Sequence, residues 1–202
     1  SQGRSKYNPI HTFTSQFRQD GTKEQYVTSV AGHLMELDFP IQYKSWMSCE
    51  PLDLFSAPIE KRVNKTMKSL EAQLKDLAKK SDTLVLWLDC DREGENISYE
   101  VIQVCAEVNT RMHIFRAHFN SLVPQEIMKA YNTLTPPDKN LSDAVDVRQE
   151  IDLRTGAAFT RFQTRLIQNQ TPLKEAVVSY GPCQFPTLGF VVDRYYQIKA
   201  FT

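Results

Sequence analysis

Asp89, Asp91 and Glu93 stand two residues apart in the stretch VLWLDCDREGEN, directly after an apolar run. Carboxylates this close repel one another and desolvate poorly unless something positive sits among them. Asp89 ends a strand-like segment, Asp91 follows two residues on and can point the same way, and Glu93 opens the next helical pattern. Hard oxygen donors of this kind suit Mg²⁺, which keeps several waters and also binds substrate phosphate. The plainer alternative is a solvated strand-to-helix turn whose acids are favoured by the helix dipole. One acid would fit that alternative; three after so apolar a strand fit it less well. Gly94 admits a close backbone approach, such as a phosphate would make, or is a simple helix-start glycine.

Other residues could meet a polyanion. Arg154, Arg161 and Arg165 fall on one helical face by steps of seven and four, and a row of guanidiniums can follow a phosphate backbone. The same row could be a solvated face. Gln184 and Thr187 flank a Gly-Pro turn and could offer neutral hydrogen bonds to phosphate or base, while Thr187 could equally cap a helix. His33 is a candidate DNA contact and His118 a weaker one, since a lone His is more often structural. Tyr180 precedes Gly-Pro and has the chemistry of a nucleophile.

These side chains need an alternating framework to hold them. The spacing predicts a strand over Glu24–Leu34 ended by Gly32, then a proline-rich loop with short turns from Met35. An amphipathic helix is expected over Pro58–Asp82, with Val63, Met67, Leu70, Leu74 and Leu77 inward and its lysines in solvent. TLVLWLD reads as a strand apolar on both faces, suited to the middle of a parallel sheet covered by helices. EGENISYEVIQVCAEV reads as a helix with Ile97, Val101, Val104, Cys105 and Val108 inward. RMHIFRAHF is the next strand, and SLVPQEIMKAYNTL a helix capped near Ser121 with Pro124 in its first turn. The order is that of a right-handed α/β unit. TPPDKN (Thr135–Asn140) marks a boundary. Beyond it come one long helix or two abutting ones, a Gly-Pro turn, and a helix beginning near Pro186.

The bulk properties exclude little but bound much. The 202 residues suffice for one large domain or two small ones, and the net charge is zero. Any nucleic-acid surface must therefore come from local placement of Arg and Lys. Cys49, Cys90, Cys105 and Cys183 form no CxxC pair, which argues against a zinc site and fits reduced thiols in a nuclear or cytosolic setting. No apolar run is long enough for a membrane span, and no leader-like pattern opens the chain. The polar start SQGRSKYNPIHTF reads either as a frayed terminus or as a cut through a larger protein.

DCDREGENI closely resembles the DxDxEGE motif of the Toprim domain, and the resemblance extends along the chain. VTSVAGHL and FRAHFNSLVPQEI resemble further Toprim segments. DVRQEIDLRTGAAFTRFQT and SYGPCQFPTLGFVVDR resemble the helical domain beside it in type IA DNA topoisomerases, nearest the eukaryotic topoisomerase III alpha type. The resemblance implies an α/β Toprim domain over 1–137, Rossmann-like and short of its first strand, then a mostly α-helical DNA-binding segment over 138–202. It implies Mg²⁺ at Asp89 and Asp91, with Glu93 completing the triad partly through water. It also implies a phosphate-contacting Arg116, and an Arg148–Asp152 pair that positions DNA. That pair is geometrically sound by its i,i+4 spacing, though a surface salt bridge would share the spacing. Tyr180 matches a structural turn of the family rather than its nucleophile.

By the same resemblance, the glutamate of an AEKP-like first strand and the tyrosine of a YPRT-like sequence lie outside this chain, so no catalytic residue is assigned within it. The implied enzyme is nuclear. It cleaves single-stranded DNA through a 5′-phosphotyrosyl link, and works with a RecQ-family helicase and an OB-fold partner in recombination and repair. A missing first strand would leave a gap in the sheet and poor stability in isolation. The alternative is a truncated, non-catalytic nucleic-acid or partner-binding module. A Toprim nuclease or primase would need only the acids and leaves the helical segment unexplained.

Overall fold

The structure, a computed structural model, describes residues 3–16, 21–168 and 176–201. They form an α/β chain of six strands and five α-helices, which groups into two compact units. One unit comprises Ser1–Glu36 and Arg62–Asp146, and the other Leu37–Lys61 and Val147–Thr202.

In the first unit, β1 (His11–Gln16) and β2 (Thr22–Val27) form an antiparallel hairpin with His11 opposite Val27. The strand expected to reach Leu34 stops at Val27, and Gly32 then takes a left-handed φ of 82° that only glycine adopts freely. β3 (Met35–Asp38) pairs with β4 (Glu60–Val63). β5 (Thr83–Leu86) and β6 (His113–Arg116) run parallel, Thr83 beside His113 and Leu86 beside Arg116. Between these last two strands the chain passes through α2 (Arg92–Ala106), the crossover expected of the βαβ pattern. α3 (Pro124–Asn132) opens with Pro124, but its capping position is Val123, and Ser121 instead accepts from the Val123 amide at 3.2 Å.

The helix expected over Pro58–Asp82 is the main departure. α1 spans only Lys68–Ala78; before it come β4 and a 3-10 turn at Lys65–Met67. Asn64 makes the break. Its side chain accepts from the Thr66 amide at 2.9 Å and donates to Glu36 at 2.7 Å, while its own amide bonds the Leu34 carbonyl. Strand pairing thus overrides a helical apolar spacing. Part of the expected solvated lysine face is present as an ion network, Lys68 and Lys75 on Glu71 and Lys75 on Glu107; the two lysines hold the Glu71 carboxyl below its ordinary range.

The core of this unit is Leu34, Met35, Leu70, Leu74, Ala78, Leu86, Val101, Val104 and Cys105, with α1 packed on α2. Burial pushes the Cys105 thiol up to about 11, so it is a packing residue rather than a reactive one. Of the expected inward face of α2, Ile97 and Val108 are only half-buried. β5 is less enclosed than a central strand, since only Leu86 is fully buried and β6 is its one ladder partner among the described residues. Within the polar start, Ser5 and Asn8 are held by contacts. Gln73, buried on α1, accepts from the Ser5 amide at 3.1 Å and donates to the Asn8 carbonyl at 2.7 Å.

The second unit is built on α4 (Lys139–Gln168), a single helix whose first residues belong to the first unit, and α5 (Gln184–Ala200). Its small core is Phe39, Leu54, Ala57 and Ala158. The segment after Met35, expected as loop with turns, supplies strand β3 and 3-10 turns at Ile41–Tyr43 and Pro51–Phe55. Among the described residues, no helix is long and apolar enough to cross a membrane.

Candidate metal and nucleic-acid site

β5 ends at Leu86, and its chain runs on through Trp87 and Leu88 to deliver Asp89, which is exposed. Two side chains hold the approach. Arg116, at the end of β6, donates from Nη1 to the carbonyls of Leu86, Leu88 and Ala117 and from Nη2 to that of Asp89. Its Nε donates to Glu95 at 2.9 Å. Arg116 is 0% exposed and Glu95 1%. Arg116, expected as a phosphate contact, is thus buried against protein acceptors. Its guanidinium is spent on protein acceptors, and it fixes the strand end on which the acids sit. Trp87 stacks on Tyr131 and meets Phe119 edge-on.

Asp91 is the N-cap of α2. Its backbone is extended (φ −135°, ψ 177°) and its side chain accepts from the Gly94 amide at 2.8 Å, satisfying a donor that the helix start would otherwise orphan. Gly94 does make a close approach, but to protein. A Cβ there would lie 2.0 Å from the Asp89 carbonyl oxygen.

Glu93, in the first turn of α2, meets His33 Nε2 at 3.2 Å. His33 Nδ1 lies 3.1 Å from Glu100, whose other oxygen accepts from the amides of Leu34 and Met35. His33, expected as a DNA contact, thus has both ring nitrogens engaged by carboxylates. The positive groups that the acid spacing demanded are Arg116 behind the strand end and, when both its nitrogens donate, His33 beside Glu93. His118 is exposed.

Glu95, Asn96 and Glu100 escaped the sequence reading, although all three are buried. Asn96 donates to Ser142 and to Asp146 at 2.8 Å, tying α2 to the start of α4. A signal for Glu100 existed: it lies seven residues after Glu93, two turns along the same face of α2.

Among the described residues, no group of three or more His, Cys, Asp and Glu side chains is gathered as a metal cage. The donor chemistry still fits a cation of the Mg²⁺ kind, which is held by one or two carboxylates and completes its shell with water and phosphate. Asp89 and Asp91 are exposed at the carboxyl end of a parallel strand, where open α/β sheets place ligands.

In the second unit the expected arginine row is turned inward. Arg154 donates to Glu150 at 2.8 Å and to the carbonyls of Leu54 and Ala57. Arg161, 7% exposed, donates to the carbonyls of Tyr43 at 2.6 Å and of Ser45. Arg165 grips Glu50 with both terminal nitrogens at 3.3 Å. These side chains, expected as a phosphate-tracking stripe, fasten the 43–57 segment, whose carbonyls have no sheet ladder to satisfy them. The i,i+4 pair Arg148–Asp152 forms at 3.0 Å and stays partly exposed. Gln184, exposed, opens α5. Thr187 does not cap α5; its hydroxyl donates back to the Cys183 carbonyl at 2.6 Å. Tyr180 packs between Phe159 and Phe185 at the turn, as a structural residue would.

Two family profiles match this chain in series: that of the Toprim domain over residues 3–122 and that of DNA topoisomerase over 136–202. The chain belongs to the type IA DNA topoisomerase family. It is similar to DNA topoisomerase 3-alpha of Arabidopsis thaliana, 49% identical over 98% of this chain and 22% of that protein. It is similar to DNA topoisomerase 3-alpha of Homo sapiens as well, 48% identical over 99% of this chain and 20% of that one. Among solved structures, full-length topoisomerase I from Thermotoga maritima matches with a TM-score of 0.56 and 27% identity, over 85% of this chain and 26% of that one. The chain thus spans about a fifth of the topoisomerase relatives it matches. The acid-bearing strand end, His33 and Arg116 all fall inside the Toprim match, and Arg148, Asp152 and α5 inside the topoisomerase match.

Proposed function

We propose that this chain supplies the Mg²⁺-binding Toprim segment (1–137) and the adjoining helical DNA-binding segment (138–202) of a topoisomerase III-like enzyme. That enzyme cleaves one DNA strand, passes another through and reseals the break. The observation that carries the reading is the serial match of the two families over a strand end that presents Asp89, Asp91 and Glu93.

The geometry supports the following roles. Asp89 and Asp91 are the exposed carboxylates that would hold the cation, and Glu93 would complete its surroundings through water. A bound Mg²⁺ supplies positive charge for phosphate oxygens during resealing. Arg116 holds the strand end still. Arg148 and Asp152 would position single-stranded DNA, Arg148 by a charge-assisted bond to phosphate, with Gln184 as a neutral donor. The nucleophilic tyrosine, outside this chain, would form the 5′-phosphotyrosyl link; the link conserves the phosphodiester energy, so no ATP is consumed. By family, the enzyme would act in the nucleus with a RecQ-family helicase and an OB-fold protein on recombination and repair intermediates.

The test is relaxation of negatively supercoiled DNA, without ATP, by the whole protein that carries this chain. Asp91→Asn is the informative variant, because Asn caps a helix as well as Asp does while removing the charge. It is expected to fold normally and to need more Mg²⁺ for resealing. Unchanged relaxation of that variant at low Mg²⁺ would refute the assignment. Metal-dependent nicking with no covalent protein–DNA adduct would support a nuclease instead.

A further inference from the structure

We infer that Glu100 is a positioning residue for the acid site and acts on Glu93 through His33. Glu100 is 1% exposed and fixed at one oxygen by two backbone amides, those of Leu34 at 2.8 Å and Met35 at 3.2 Å. Its other oxygen lies 3.1 Å from His33 Nδ1. The far ring nitrogen, Nε2, lies 3.2 Å from Glu93 Oε2. A buried, doubly anchored carboxylate therefore sets the plane of one imidazole, and that imidazole sets the rotamer of the one acid of the three that is neither a strand-end nor a capping residue.

The need for such a device is local. Asp91 is held as the N-cap and the Asp89 backbone by Arg116, and Glu93, on the first turn of α2 with a long, rotamer-rich side chain, is met by His33. Fixing Oε2 of Glu93 on His33 narrows the rotamers open to its carboxylate. The arrangement has the form of outer contacts that orient ligating groups, whose loss commonly costs about 10–100-fold in metal affinity.

The inference rests on the Mg²⁺ reading above, and its test separates the two. In the whole protein, Mn²⁺ affinity is measured by magnetic resonance of the free ion. His33→Ala and Glu100→Gln are each expected to weaken binding about tenfold. Glu100→Gln retains an oxygen for the Leu34 and Met35 amides and turns an NH2 donor toward His33, so it removes the charge and reverses the hydrogen-bond sense at Nδ1 with the backbone anchor kept. His33→Ala combined with Glu93→Gln should bind no worse than Glu93→Gln alone, because the histidine acts only through that glutamate. With no metal present, NMR of the imidazole nitrogens should show Nδ1 responding to Glu100→Gln and Nε2 to Glu93→Gln. Additive losses in the double variant, or imidazole nitrogens indifferent to both substitutions, would overturn the inference. Absence of saturable Mn²⁺ binding in the unaltered protein would instead sink the Mg²⁺ reading, with the metal-free imidazole responses still deciding the Glu100–His33–Glu93 contact.

Discussion

Arg116→Ala is expected to destabilise the first unit by about 3–5 kcal/mol, the cost of breaking a buried ion pair by removing one partner. The guanidinium is fully buried, and its loss leaves Glu95 uncompensated in an interior where it is 1% exposed. Among the described residues, Glu95 would keep the Asp138 amide, at 3.2 Å. The carbonyls of Leu86, Leu88, Asp89 and Ala117 would lose a shared donor as well. Urea unfolding followed by circular dichroism measures this. Arg116→Met with Glu95→Gln, which removes both charges, is expected to recover a large part of the loss. A cost for Arg116→Ala below about 1 kcal/mol, the range of exposed pairs, would show that the guanidinium is not the clamp described.

Gly94→Ala is the second large effect. The new Cβ would meet the Asp89 carbonyl oxygen at 2.0 Å and its carbon at 2.9 Å, both backbone atoms, with Arg116 Nη2 at 3.2 Å. No side chain can swing aside, so either the strand end or the first turn of α2 must move. The expected cost is about 1–3 kcal/mol or more, as for overpacking at a rigid site. The displacement falls on the residues that carry the acids, so amide resonances from Asp89 to Glu93 should shift while those of α4 and α5 stay in place. A variant as stable as the original with unchanged resonances would contradict the contact.

What the sequence made legible was whatever depends on local pattern. The apolar run before Asp89, the helix after it, the strand at His113–Arg116, Pro124 in the first turn of α3 and the long α4 all follow from periodicity and breakers. The acid motif, too, stands at a strand-to-helix junction as its spacing implied. Non-local partners stayed hidden. Pro58–Met67 carries helical spacing but is taken by strand pairing and by the Asn64 turn. The arginines of α4 keep the predicted spacing, but which face turns to solvent was decided by the unsatisfied carbonyls of the 43–57 segment. Arg116 reads as a surface cation because arginine is rarely buried, and only the position of Glu95 reveals its partner. The grouping of residues 37–61 with 147–202 has no signature in composition. The second family match opens at residue 136, within the TPPDKN stretch that the sequence marks as a boundary.

The central claim is that the carboxylates after β5 hold a divalent cation. Mn²⁺ added in small steps to the isotopically labelled chain broadens the amide signals nearest the ion, and the order in which they vanish locates it. The expected result is that Cys90, Asp91, Arg92 and Gly94 broaden first and that Asp89→Asn with Asp91→Asn abolishes the effect. Early broadening elsewhere, around Asp138 and Asp143 at the start of α4 for example, with the strand end untouched, would contradict the claim.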